Sequence, residues 1–161
     1  MLFLGKVKVS QPNLTKSHDD RRSSSRPFLH HYAGHDLEAL YNQDPDAAKR
    51  IALFIREATN SQELLYTFTE HGHGRDETDR YHVSRWERQQ HKGRNLWRVK
   101  VWRPANVRHL RMVYAFVPPL AYYILGITTH DGTETTDFYD DDSHPFTQRV
   151  TAVYERLKSS R

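Results

Sequence analysis

The chain contains no cysteine among its 161 residues and only two methionines. The first absence excludes a disulfide scaffold, a thiol nucleophile and any thiolate metal site. Long apolar runs are also missing, and mean hydropathy is −0.86. No segment approaches the roughly 18 to 20 apolar residues that a membrane-crossing helix needs. The opening Met-Leu-Phe-Leu-Gly-Lys is too short an apolar stretch for a secretory leader and no small-residue cleavage site follows it. The expected setting is therefore the cytoplasm.

What is present is charge, unevenly spread. Lys and Arg number 24 against 20 Asp and Glu, a net charge of +4. Residues Met1 to Arg26 hold six basic and two acidic residues, so they account for that +4 alone. They include Gln-Pro-Asn, Asp-Asp-Arg-Arg and Ser-Ser-Ser, with little apolar surface to offset the entropy of ordering. The division expected is a basic, flexible extension over 1–26 and one folded domain over 27–161. Within the folded part, Arg80 to Arg111 holds ten basic residues and one acid, Glu87, giving +9 over 32 residues. Trp86, Trp97 and Trp102 are interleaved with them, and the stretch from Asp131 onward holds seven acids. Basic residues neutralise phosphates and flat aromatics stack on bases. Trp is usually buried, however, which favours a core role for the three indoles.

The patterning predicts an α+β domain. Phe28 to Tyr32 reads as a short strand. Leu37, Leu40 and Tyr41 have helical spacing, and Asp44-Pro45 restarts a helix carrying Ala48, Ile51, Ile55 and Ala58. The result is a helical hairpin. Alternation then marks strands: Trp97, Val99 and Val101; Leu110, Met112, Tyr114 and Phe116; Tyr122, Ile124 and Gly126. Close spacing favours an antiparallel meander. A last helix is capped at Ser143 or His144, opens with Pro145 and carries Phe146, Val150, Val153, Tyr154 and Leu157. All helices are expected on one face of a twisted, mostly antiparallel sheet. Gln62 to Asp79 gives no clear pattern.

Several of these segments together resemble the RelE/ParE family of bacterial toxin–antitoxin toxins. They are His35-Asp36-Leu37-Glu38-Ala39-Leu40, Leu96-Trp97-Arg98-Val99-Lys100-Val101, Leu110-Arg111-Met112-Val113-Tyr114, Ile124-Leu125-Gly126-Ile127, and Tyr139-Asp140 followed by His144-Pro145. The resemblance runs from about Pro27 to Leu157. It implies an N-terminal helical hairpin packed on a small sheet, and a C-terminal helix. It also implies an endoribonuclease that cuts mRNA, on the ribosome, by turning the ribose 2′-OH onto the adjacent phosphate. No metal or cofactor is implied. The implied partners are mRNA, the ribosome and a cognate antitoxin, in a toxin–antitoxin hetero-oligomer.

Carried over by position, the resemblance implies catalytic roles for Arg98, Lys100, Arg111, His130 and Tyr139. His130 stands where RNA-cleaving members often carry Arg, a departure that leaves it the role of general acid. Arg85, Arg88, Lys92, Arg94, Arg103 and Arg108 are the expected RNA-binding residues. Each has a plainer reading: Arg98 and Lys100 as a solvated strand face, Arg111 as an ion-pair partner of the acidic tail, His130 as a polar strand end. His71 and His73 lack a clear third ligand, and a Gly-rich loop accounts for them without a metal. Two other functions remain open: a non-enzymatic, ParE-like inhibitor of DNA gyrase, and a non-toxic RNA-binding protein of the same fold.

Overall fold

The computed structural model describes residues 26–74, 79–101, 109–117, 121–130 and 138–160. The expected N-terminal extension, Trp102, Arg103 and Arg108 lie outside the described residues. The elements run β1 (Pro27–Leu29), α1 (His31–Gln43), α2 (Pro45–Asn60), α3 (Gln62–Tyr66), a 3-10 turn (Thr67–Thr69), β2 (Tyr81–Arg85), α4 (Glu87–Gln90), β3 (Leu96–Val101), β4 (His109–Val117), β5 (Ala121–His130) and α5 (Pro145–Ser159). The class is α+β.

Local chemistry sets the helix boundaries. Asp44 closes α1 and opens α2: its backbone N–H donates to the Leu40 carbonyl, and its carboxylate accepts from Ala47 N at 3.1 Å. Pro45 follows in the first turn, where its missing N–H costs nothing. His144 caps α5 by accepting from Phe146 N at 3.2 Å, again followed by proline. His30 caps α1 in the same way, accepting from Tyr32 N. Burial, and then the charges of His31, Arg156 and Arg149, hold the His30 imidazole below its usual pKa, which favours the neutral acceptor.

The five strands form one mixed sheet in the order β1-β5-β4-β3-β2. β1 is parallel to β5 and the other pairings are antiparallel. Two apolar layers sandwich the sheet. On one face α1, α2 and the 3-10 turn cover Val83, Trp97, Val99, Met112, Tyr114 and Ile124. Tyr114 is fully buried there, and its hydroxyl donates to the Phe68 carbonyl at 2.6 Å. Burial pushes that hydroxyl's pKa well up, so it stays a donor. On the other face α5 covers Val113, Ala115 and Leu125 with Val150, Val153 and Tyr154.

The helices therefore do not share one face, as the patterning had suggested. A bulge explains how α5 docks. The β4–β5 register slips between Val113 and Tyr114, so Leu125 is skipped in the pairing and the sheet bends locally. Leu125 packs into the α5 layer, and a Cβ on neighbouring Gly126 would come within 2.6 Å of the Phe146 ring. The absence of a side chain at Gly126 thus lets the helix sit close to the sheet. Asp36 ties the two helical layers together, accepting from Ile127 N at 3.0 Å on β5 and from Arg149 of α5 at 2.8 Å.

β2, which the patterning did not reveal, is edged by the histidine–glycine loop. Val83 N donates to the His73 carbonyl and Gly72 N to the Val83 carbonyl, both at 2.9 Å. His71 Nδ1 accepts from Arg85 N at 3.1 Å. Gly72 and Gly74 take φ of 87° and 70°, a region that other residues rarely adopt.

Candidate functional site: a cationic row on the α5 face

α5 packs against β4 and β5. On the same face, the β2–β3 side carries polar rows set by strand register. One row runs His82, Lys100, Arg111 and Thr128 across four strands. The next runs Ser84, Arg98, Val113 and Gly126. Residues directly opposite on neighbouring antiparallel strands hold their Cβ atoms about 5 Å apart. The two-residue period puts Arg98 and Lys100 on one face, as expected. Antiparallel pairing then adds Arg111 and, from the strand not foreseen, His82.

Tyr139 joins the two rows. The Arg98 guanidinium carbon lies 4.3 Å from its ring centroid and that of Arg111 lies 5.3 Å away. Both are within the range of attraction between a cation and an aromatic face. Tyr139 and Arg111 are 3% and 5% exposed, while Arg98, Lys100 and His82 are half-buried. The ring is held from several sides. Trp86 Nε1 donates to the Tyr139 carbonyl at 3.0 Å, and Trp86 meets the ring edge-on at 5.1 Å. Thr147 of α5 donates to the Phe138 carbonyl at 2.7 Å. Arg98 Nε donates to Ser84 Oγ at 2.8 Å, which fixes the plane of its guanidinium.

The remaining basic residues have different surroundings. Arg88 and Lys92 both bind Asp142, which also accepts from Gln89 at 3.1 Å. The Arg88 and Lys92 hydrogen bonds hold the Asp142 carboxyl well below the usual carboxylate range. Arg94 pairs with Glu155 at 2.7 Å and donates to Gln89 at 2.9 Å. Arg85 is exposed, with its guanidinium 5.6 Å from the Trp97 ring centroid. Three of the six expected RNA-binding residues thus clasp the acidic C-terminal segment, and Arg103 and Arg108 lie outside the described residues. His130 is the last residue of β5, with its backbone opposite His109. Trp86 and Trp97 are buried, which assigns both indoles to the core. Among the described residues no group of three His, Asp or Glu is arranged to hold a metal ion, and no helix is long and apolar enough to cross a membrane.

The arrangement offers two planar guanidiniums against a buried phenol and, on the same sheet face, the ammonium-bearing Lys100. Guanidinium presents paired donors that fit phosphate oxygens, and ammonium adds a compact charge. Such a cluster suits an anion of several oxygens better than a neutral ligand. β2 is hard to read in the sequence because it has a single fully apolar-facing position, Val83, between polar neighbours, so nothing marks His82 as a strand residue. Its link to Lys100 exists only through pairing. No protein-family model, curated protein or solved structure matches the chain.

Proposed function

We propose that this protein is a RelE/ParE-like toxin acting as an endoribonuclease on translated mRNA in the cytoplasm. The observation that carries the reading is the gathering of Arg98, Lys100 and Arg111 on one sheet face, with both guanidiniums against the Tyr139 ring. Cleavage by the 2′-OH requires stabilisation of the extra negative charge on phosphorus in the transition state. Fixed cations in a partly desolvated site supply it without reorganising. Arg111 and Arg98 grip the non-bridging oxygens of the scissile phosphate, Lys100 adds a point charge, and Tyr139 keeps the guanidiniums oriented. The hairpin of α1 and α2 on the sheet and the closing α5 accord with the resemblance. A cognate antitoxin covers the cationic face when the toxin is inactive, and the two form a hetero-oligomer.

The gyrase-inhibitor reading draws on a different observation. Arg88, Lys92 and Arg94 are engaged by Asp142 and Glu155, so the basic segment presents less open cationic surface than its composition implies. Induction of the protein in bacteria separates the two. Under the endoribonuclease reading, protein synthesis falls first and DNA synthesis later. An early, selective fall in DNA synthesis favours gyrase. The antitoxin is tested by purification from the native host: a small co-eluting protein is expected, and a toxin that elutes alone and fully active counts against it.

A further inference from the structure

Charge stabilisation leaves one requirement of the proposed cleavage unmet. The attacking 2′-hydroxyl must lose its proton, and neither guanidinium nor ammonium accepts one readily near neutral pH. We infer that His82 takes that proton, an inference that rests on the endoribonuclease reading above. His82 is paired directly with Lys100 on β3, which is paired directly with Arg111 on β4. It shares a face with Ser84, whose hydroxyl binds Arg98. The charged groups facing it across the sheet are therefore Lys100 and Arg111 in its own row and Arg98 in the next, with the Tyr139 phenol beside them. Its half-buried side chain lies at the outer end of the row. The ribose that carries the gripped phosphate on its 3′ oxygen can turn its 2′-hydroxyl toward that position while the phosphate stays over the cations.

The other described histidine side chains are placed elsewhere. His71 accepts from Arg85 N at the sheet edge, and His73 stacks on Tyr81 toward the opposite layer. His30 and His144 cap helices, and His31, His35 and His91 are exposed. His109 and His130 are paired with each other one row beyond Arg111 and Thr128, whereas His82 stands in the row of Lys100 and Arg111 itself, directly opposite Lys100.

The neutral imidazole of His82 accepts the 2′-hydroxyl proton as the 2′ oxygen bonds to phosphorus. The bond from phosphorus to the 5′ oxygen of the next nucleotide breaks, and that oxygen takes a proton from water. The products are a 2′,3′-cyclic phosphate and a 5′-hydroxyl, and His82 later returns its proton to solvent.

The test uses the purified full chain and two substrates, mRNA in ribosomes with an open A site and the same RNA free. Single-turnover cleavage and thermal melting are measured for wild type and His82→Ala. The expected result is a loss of at least about a hundredfold in rate at an unchanged melting temperature, with partial recovery on adding imidazole. A purely structural role gives no recovery. His82→Ala cleaving at the wild-type rate, or slowed and unresponsive to imidazole, overturns the assignment and leaves the endoribonuclease reading standing. If His82→Ala melts early, folded His82→Gln replaces it, and wild-type cleavage by that variant overturns the assignment equally. Wild type that cleaves neither substrate overturns the endoribonuclease reading, and this assignment with it.

Discussion

Lys100 and Arg111 stand directly opposite one another on β3 and β4, two cations on the same face of a sheet. Like charges in that relation disfavour the pairing of strands. Arg98 adds a third cation one row away, against the same Tyr139 ring as Arg111. Under the proposed function, a phosphate seated between these cations binds to all three. Arg98→Ala and Lys100→Ala should each weaken growth inhibition, and the double variant should be weaker than either. Dose–response curves for induced toxicity at matched expression check this. Equal toxicity in the double variant and wild type contradicts the assignment.

The clasp that Arg88 and Lys92 make on Asp142 has a pH signature. Asp142 has a pKa lowered in the folded state, chiefly by hydrogen bonds from Arg88 and then Lys92. A carboxyl so lowered adds stability above the ordinary carboxylate pKa of about 4 and loses it as pH falls toward the folded value. Asp142→Asn should therefore melt below wild type at pH 7, and the gap should close as both are acidified below about pH 4. Added salt should narrow the neutral-pH gap, since the pairs are exposed. A gap that widens on acidification contradicts the assigned partners.

Gly74 lies at a φ of 70°, and an added Cβ would run into the Tyr81 carbonyl oxygen at the start of β2. Gly74→Ala should destabilise by about 1 to 3 kcal/mol through combined backbone strain and the clash. Urea denaturation gives the value. Gly93→Ala is the control: φ is 76° but nothing lies near the new methyl, so its cost should be smaller. Equal costs at the two sites would mean that strain alone matters.

Asp36 and Arg149 join α1 to α5 through two hydrogen bonds. The carboxylate also accepts from Ile127 N, so Asp36→Ala leaves both a backbone donor and a half-buried guanidinium without it. A double-mutant cycle with Arg149→Ala should show a coupling on the order of 1 kcal/mol or more. Additive single costs would reduce the contact to a surface ion pair.

Legibility in the sequence followed the range of the interactions. The caps at Asp44-Pro45 and His144-Pro145 depend on a few adjacent residues, and the elements they start are where the pattern placed them. β3, β4 and β5 alternate strongly and were equally plain. Arg98 and Lys100 could be put on one face by period alone. Arg111 joined them only through register, and His82 through a strand whose residues are mostly polar. The segment 80–111 read as one basic surface because its partners are remote: Asp142 is 54 positions from Arg88, and Glu155 is 61 from Arg94. The position of α5 on the second face depended on a bulge that no local pattern announces.

The proposed function stands or falls on a phosphodiester held at Arg111. It is tested most directly by mapping the 5′ ends of cellular mRNA shortly after induction of wild type and of Arg111→Lys at equal expression. Lysine keeps the charge but loses the planar fork, and losing one strong donor to a transition state costs roughly 3 kcal/mol, on the order of a hundredfold in rate. Wild type should produce new 5′-hydroxyl ends within translated reading frames, and these should nearly disappear in a folded Arg111→Lys. Undiminished ends in the variant, or no new ends with a wild type that still arrests growth, would contradict the proposal.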